Sequence, residues 1–317
     1  MGGRLRWGAA TLAVVLLAAG CSGDDDSDKA DESKVTEIAE LKATFIEDET
    51  FVDSERAMAG SNGIPAATSR TLVTRIAYPQ PLQGKHPLVV FAHGLGGNPA
   101  RHTDLMTAWA EAGYIVAAPA FPRTNDGQPG GRDALDVADM VNQPGDVSFV
   151  IDSMLALDDG PVAGHIDADH IGVAGHSLGG ATTYALAENT CCRDDRVDAI
   201  MLLAIAPLEL QDMFVGDFDP QPLPVLQVVA DGDFVYEASE KAYPTLPSPK
   251  WYVTLHGGDA SRHVHPYEDT PDPADQVVLD VTTEFWNLEL GADPEAGSRL
   301  EKAASPTDGK ATLQRDL

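Results

Sequence analysis

The 317-residue chain is strongly acidic: 50 Asp and Glu residues stand against 21 Lys and Arg residues, for a net charge of -29. Such a surface repels nucleic-acid phosphates and anionic lipid headgroups, so we expect neither nucleic acid nor an anionic membrane surface as a direct partner. A hydrophobic content of 43% supplies enough core for one large domain or two small ones.

The N-terminus has the three regions of an export signal. Arg4 and Arg6 precede an apolar run over 7–20, which is shorter than the roughly 20 residues that a membrane span needs. The run ends in the letters LAAGC, which predicts a bacterial lipoprotein signal peptide over 1–20 with Cys21 as the lipidated first residue of the mature chain. The alternative is an ordinary secretory signal that is cut nearby and leaves Cys21 free. In both cases the mature protein is extracytoplasmic, and we expect membrane contact only through the lipid anchor.

Composition divides the rest of the chain into three parts. Residues 21–42 begin with a Ser, Gly and Asp run that cannot bury apolar surface and predicts an acidic tether. Residues 43–290 are predicted to form the catalytic domain. Residues 291–317 carry Pro, Gly, Ser and charges with little apolar content, and we predict a poorly ordered tail.

The two cysteines that remain, Cys191 and Cys192, are adjacent. They could form a vicinal disulfide, stay as buried thiols or pair between chains, and the sequence leaves these alternatives open. Their spacing does not match a metal site, and no metal is predicted.

Apolar runs and helical segments alternate along the central part of the chain. A half-buried strand over 71–78 stops at Pro79, and continuous apolar runs then recur between segments of helical periodicity. This order predicts an α/β fold, with a mostly parallel sheet and helices on both faces. The predicted buried strands are 87–92, 114–118, 171–174, 199–203, 225–229 and 251–255, and the predicted helices include 145–157, 179–189, 236–243 and 274–288. Only about 20 residues separate Leu203 from Pro224, which predicts little or no lid over the site.

One pentapeptide, at positions 175–179, has the pattern of a catalytic serine motif. The buried strand over 171–174 runs into Gly175-His176-Ser177-Leu178-Gly179, and a helical segment follows directly. A G-x-S-x-G sequence between a strand and a helix predicts a nucleophile elbow, in which a sharp turn lifts the serine hydroxyl above the sheet at a helix N-terminus. Ser177 is therefore the candidate nucleophile.

A serine hydroxyl needs a base to take its proton and an acid to orient the base. In folds that carry such a nucleophile elbow, the three residues follow one another along the chain in the order serine, acid, histidine. Asp231 and Asp233 follow the predicted strand 225–229, and three histidines follow the strand 251–255: His256, His263 and His265.

The chain resembles an α/β-hydrolase, and within that superfamily the dienelactone-hydrolase-like, platelet-activating-factor-acetylhydrolase-like and cutinase-like bacterial esterases. The resemblance spans about residues 65 to 290. It implies ester hydrolysis by a Ser-His-Asp triad without a cofactor. The stretches that carry it are the elbow, Phe91-Ala92-His93-Gly94-Leu95-Gly96-Gly97, Ala120-Phe121-Pro122-Arg123-Thr124 and Asn142-Gln143-Pro144-Gly145-Asp146-Val147.

The resemblance also distributes the roles. Asp233 matches the acid because an apolar pair follows it, and Asp231 is the alternative. His263 matches the base because Pro266-Tyr267 follow it closely, and His265 and then His256 are the alternatives.

The oxyanion hole would use the backbone N–H groups of Leu95 and Leu178. His93 and His176 are expected to be structural. Phe121, Met213 and Phe214 are candidates for the pocket wall, although a core role fits each of them equally well.

The first hypothesis is thus an extracytoplasmic, lipid-anchored serine carboxylesterase for small or polymeric esters of short to medium acyl chains. The second is acyl transfer or polyester hydrolysis on the same triad. The third is a binding lipoprotein of the envelope whose hydrolase fold is catalytically silent.

Overall fold

The structure, a computed structural model, describes residues 41–205, 208–257 and 273–317, with only the backbone described at 208–210 and 273. The predicted signal peptide, the lipidation site Cys21, almost all of the tether, and the candidate bases His263 and His265 lie outside these ranges. Among the described residues, no helix has the length and apolar character needed to cross a membrane.

The described residues form a nine-stranded sheet with the order β1-β2-β4-β3-β5-β6-β7-β8-β9. Strands β3 to β8 run parallel, and β1, β2 and β9 pair antiparallel with their neighbours. The strands are β1 Lys42–Asp53, β2 Arg70–Gln80, β3 His86–Ala92, β4 Ile115–Ala120, β5 Ile166–His176, β6 Ala199–Leu203, β7 Val225–Ala230, β8 Lys250–Leu255 and β9 Ala311–Asp316. The helices are α1 Thr103–Glu111, α2 Gln143–Leu155, α3 Leu178–Glu188, α4 Tyr236–Ala242, α5 Pro273–Glu289 and α6 Ala296–Ala303.

The continuous apolar runs of the sequence are strands that are buried on both faces, as parallel sheets require. In β3, Val89 and Phe91 pack into one core with α1, α5 and α6. Their neighbours Leu88 and Val90 pack into a second core with α2 and α3. Because successive side chains of a strand point to opposite faces, one apolar run serves both cores. The α/β-hydrolase architecture predicted from the sequence is confirmed.

The predicted poorly ordered tail over 291–317 is wrong. Residues 296–303 form α6, which buries Ala296 and Leu300, and 311–316 form β9, which pairs with β8 in register from Lys250↔Asp316 to Leu255↔Ala311. An edge strand satisfies its backbone through the hydrogen bonds of one neighbour and needs few apolar side chains, so its composition does not reveal it. The compact unit therefore extends to the last residue, not to 290.

Candidate active site

Ser177 lies at the junction between β5 and α3, where the chain reverses from strand to helix. Its backbone has φ 51° and ψ -116°, a region that L-residues with a side chain rarely adopt and that costs on the order of 1–3 kcal/mol. Its N–H donates to the Leu203 carbonyl of β6 at 2.9 Å, and its own carbonyl accepts from Gly180 N at 2.9 Å. The turn is therefore held from both sides, and Ser177 stays half-exposed while the residues of α3 are buried.

The glycines of the elbow are required by close backbone approach. A Cβ on Gly175 would lie 2.1 Å from the Gly179 carbonyl oxygen, and a Cβ on Gly179 would lie 2.0 Å from the Ala92 carbonyl oxygen of β3. Real carbon–oxygen contacts are far longer, so any side chain at either position forces the backbone apart. The spacing G-x-S-x-G thus follows from a helix start that is packed directly on two strands.

The loop after β3 approaches the serine from the other side. A Cβ on Gly94 would lie 3.1 Å from Ser177 Cβ, so this loop passes directly beside the hydroxyl group. Gly96 N donates to Thr124 O at 2.7 Å and Gly97 N donates to Gly94 O at 2.9 Å, which fixes the loop around Leu95. On α3, Leu178 is the first helical residue, and the first N–H groups of a helix have no acceptor within the helix.

His93 holds this loop in place. It is 1% exposed, and its Nε2 accepts a hydrogen bond from Phe121 N at 3.1 Å. Since a backbone N–H can only donate, the ring proton sits on Nδ1, which donates to the Gly94 carbonyl at 2.8 Å. Burial lowers the pKa of His93 to about 4, so the ring is neutral and both its nitrogens are engaged. His93 therefore has a structural position, and His176 is also buried.

The two candidate acids have different surroundings. Asp233 is 7% exposed in the turn after β7, and its Oδ1 accepts from Val235 N at 2.9 Å. Asp231 is far more exposed and pairs with His256, Oδ2 to Nδ1, at 2.9 Å. This hydrogen bond to His256 lowers the pKa of the Asp231 carboxyl.

Both ring nitrogens of His256 contact residues at the ends of neighbouring strands. Besides Asp231, its ring contacts Thr312 Oγ1 of β9 at 3.1 Å through Nε2, and its backbone N–H donates to Lys310 O at 2.8 Å. Both ring nitrogens therefore link β7, β8 and β9. The other histidines that the sequence proposes as the base, His263 and His265, lie outside the described residues.

The structure places the three pocket-wall candidates in or against cores. Phe121 is 0% exposed in the core beneath α2 and α3. Phe214 is buried in a small cluster with Leu178 and Met140, and Met213 packs against the same cluster. Phe214 and Met213 therefore pack near Leu178, the first residue of α3, whereas Phe121 belongs to a separate core.

A polar chain that the sequence analysis missed ties the loop after β4 to the elbow helix. Gln143 at the start of α2 donates to Thr124 Oγ1 at 2.8 Å, and its Oε1 accepts from Thr182 Oγ1 of α3 at 2.6 Å. All three residues are buried. A glutamine and two threonines spread between positions 124 and 182 carry no periodic signal, so only the fold reveals the contact.

A buried ion cluster fixes the far side of the same loop. Arg70 is 1% exposed and donates to both carboxylate oxygens of Asp139, at 2.9 and 2.8 Å, and to both of Asp146, at 2.7 and 2.6 Å. The two carboxylates raise the pKa of the Arg70 guanidinium against the opposing effect of burial.

In the structure Cys191 and Cys192 are joined by a disulfide, and within the described residues no cluster of side chains could hold a metal ion.

Comparisons with known proteins bear on the family and the fold of the chain. The sequence model of the chlorophyllase family matches residues 50–220, more than half of the chain. No curated protein matches the chain. Among solved structures, a ferulic acid esterase from Streptomyces cinnamoneus is similar, with a TM-score of 0.64 and 23% identity over 88% of this chain and 98% of that chain. At that identity, the likeness shows a shared fold.

Proposed function

Because this chain belongs to the chlorophyllase family and is a hydrolase of ester bonds, we propose that it is a serine carboxylesterase that works through an acyl-enzyme on Ser177. The observation that carries the proposal is the elbow itself. A backbone in a rare conformation, enclosed by glycines that tolerate no side chain, holds the half-buried Ser177 at the start of a buried helix. Strain of this kind persists where the surrounding fold imposes it, and it concentrates at functional sites.

The proposed triad is Ser177, His263 and Asp233. In acylation, the imidazole of His263 takes the proton of Ser177 Oγ while Oγ attacks the ester carbonyl carbon. The carbonyl oxygen becomes an oxyanion, which the N–H groups of Leu95 and Leu178 would bind. His263 then gives its proton to the leaving alcohol, and water repeats the sequence to release the acid. No cofactor takes part in these steps.

Burial favours Asp233 over Asp231 as the acid of the triad. A carboxylate that orients a histidine acts most strongly where water is excluded, and Asp233 is 7% exposed. The carboxylate of Asp231 is already held by His256 and by Gly257 N at 3.1 Å. His256 is excluded as the base on the same ground, since its two ring nitrogens hold β7 and β9 together.

The substrate class follows from what surrounds the elbow. The described part of the segment between β6 and β7 contains a short 3-10 helix over Leu208–Met213 and no long helix that could form a lid. An open site fits esters of short to medium acyl chain, and the half-buried position of Ser177 agrees with this.

The decisive experiment measures hydrolysis of p-nitrophenyl acetate and butyrate together with labelling by a fluorophosphonate probe. Wild-type protein should do both, and Ser177→Ala should do neither. Ser305→Ala, which changes an exposed serine near the C-terminus, is the matched control and should retain both activities. Absence of hydrolysis and labelling in the wild type would favour the silent binding lipoprotein instead.

The same assay separates the alternatives within the triad. Asp233→Asn should lower kcat by about 10³- to 10⁴-fold, the scale found when the acid of a serine triad loses its charge. Asp231→Asn should stay within a few-fold of wild type, because it removes only an exposed pair. His263→Ala should abolish activity while His265→Ala retains it. The reverse pattern in either pair would reassign the role.

We also propose that the protein is anchored to the cell envelope through a lipid on Cys21. The support is the order of basic, apolar and small residues before this cysteine. Mass spectrometry of the mature N-terminal peptide should find a diacylglyceryl group on Cys21, and Cys21→Ser should release the protein from the membrane fraction. An unmodified mature N-terminus at another residue would indicate an ordinary secretory signal.

A further inference from the structure

A groove lies on one face of β2, over the half of the strand that α1 leaves uncovered. Along β2, Leu72 and Thr74 are buried, whereas Thr71 and Val73 are exposed on the opposite face. Further along this face, Ala77 packs against α1. The helix therefore covers only the second half of the strand face, and the first half forms the floor of a groove.

The groove has a volume of about 590 Å³, which lies within the range of small-molecule sites. Its walls are residues 98–100, where a 3-10 helix begins before α1, the loop 122–129 after β4, and the segment closed by the bridge between Met58 and Ala67. The first two walls are joined to each other, because Asn98 Nδ2 donates to Asp126 Oδ1 at 2.7 Å. A groove whose walls are hydrogen-bonded together is preformed, as binding sites commonly are.

The chemistry of the lining selects an uncharged ligand. Arg75 is neutralised by Glu47 at 3.1 Å and lies over the ring of Phe45, so it offers no unpaired positive charge, and Asp48 at the same end repels anions. The remaining lining consists of apolar side chains interspersed with hydroxyl and amide groups. One amide oxygen, Gln128 Oε1, is buried and has no hydrogen-bond partner in the structure. Such a lining suits a chain of apolar carbons with hydroxyl or ester oxygens.

The groove is close enough to serve the same substrate as the elbow. The loop after β3 passes Ser177 at Gly94 and reaches the groove wall at Asn98. Four residues span at most about 14 Å when fully extended, so the groove wall begins within that distance of Gly94, which lies beside Ser177.

Resting on the proposed esterase activity, we infer that this groove is an accessory binding site for the part of a long, uncharged ester that lies remote from the scissile bond. A ligand held there adds binding energy that a short ester lacks. Short esters would thus contact only the catalytic site around Ser177, whereas long esters would also bind in the groove.

The test fills the groove without touching the elbow. Thr71→Trp places a large side chain on the groove floor, and Gln314→Trp, at an exposed position of β9, is the matched control. We expect Thr71→Trp to lower kcat/KM at least tenfold for p-nitrophenyl laurate or dodecyl acetate, while p-nitrophenyl acetate changes less than twofold. Gln314→Trp should change none of them. If Thr71→Trp does not fold, Val73→Ser is a smaller change at an exposed position of the groove floor. It should also lower kcat/KM for the long esters while leaving that for p-nitrophenyl acetate unchanged.

An equal loss on short and long esters, or no loss on either long ester, would overturn the inference. Binding of a dodecyl ethylene-glycol ether to Ser177→Ala by calorimetry tests the groove without catalysis, and Thr71→Trp added to that variant should weaken the Kd at least tenfold. An inactive wild type whose Ser177→Ala variant still binds this ether through the groove would refute the esterase proposal alone. If the wild type is active and Thr71→Trp changes neither kcat/KM for the long esters nor the Kd of the ether, only the proposed role of the groove would be refuted.

Discussion

The elbow makes a sharp prediction at two adjacent glycines of α3. A Cβ on Gly179 would lie 2.0 Å from the Ala92 carbonyl oxygen, whereas ordinary contact begins at 3.4 Å, so Gly179→Ala must move β3 and α3 apart by about 1.4 Å. A Cβ on Gly180 has no contact shorter than 3.2 Å: Ile205 Cα lies at 3.2 Å, and Ile205 Cβ and the Gly175 carbonyl oxygen lie at 3.3 Å. These contacts relax with shifts of a few tenths of an ångström.

The magnitudes follow from these distances. Overpacking a core costs about 1–3 kcal/mol, and a displacement of about 1 Å at a reacting group can cost about 100-fold in rate. Gly179→Ala should therefore lose 1–3 kcal/mol of unfolding free energy and about 100-fold or more in kcat. Gly180→Ala relieves the cost of about 1 kcal/mol that a glycine carries inside a helix, which offsets its tight contacts, and it should stay near wild type in both quantities.

Urea unfolding followed by circular dichroism gives the stability, and p-nitrophenyl acetate kinetics give kcat. The two variants differ by one position and the same added methyl group, so composition and helix propensity cancel in the comparison. If Gly179→Ala keeps wild-type kcat, or if both variants fall alike, then the contact of α3 with the end of β3 does not position Ser177, and the reasoning about the elbow is wrong.

Two further predictions concern stability. Arg70→Met leaves the buried carboxylates of Asp139 and Asp146 without this partner and should destabilise the fold by about 3–5 kcal/mol in urea titrations, whereas Arg299→Met at an exposed pair should cost less than about 1 kcal/mol. A loss of similar size in both would contradict the burial argument. His93 is neutral in the folded state with a pKa of about 4, below its unfolded value of 6.5, so the unfolded chain binds more protons between these values and stability should fall as the pH drops from 6.5 to 4. The contribution is on the order of 3 kcal/mol, and the pH dependence of unfolding should be shallower by that amount in His93→Gln; parallel curves would show that the ring does not resist protonation.

The architecture around Ser177 was predictable because its signals are local. Strands that are buried on both faces must be apolar at every position, and helices on a sheet must repeat their apolar residues with a period near 3.6, so the order of strands and helices is visible in the chain. The elbow was predictable for the same reason. One of its two close contacts joins residues four apart, Gly175 and Gly179, whereas the other, between Gly179 and the Ala92 carbonyl oxygen, is just as short and comes from the neighbouring strand β3.

The choice between the two acids was not a local question. Asp231 and Asp233 are two positions apart in the same turn, with similar neighbours in the sequence. Their difference arises because His256 and Gly257, from the end of the next strand, reach Asp231 and not Asp233. No property of the turn itself contains that information.

The amino-acid sequence by itself determined the fold class, the position of the elbow serine and the order of the strands and helices, since each depends on periodicity or on spacing within a few residues. Only the tertiary structure decided that residues 311–316 complete the sheet, that Arg70 ties the loop after β4 to β2, and that half of one face of β2 remains open as a groove. The physical reason is that these features rest on backbone pairing and on contacts between residues tens of positions apart. Such contacts stabilise the protein through geometry, which composition does not record.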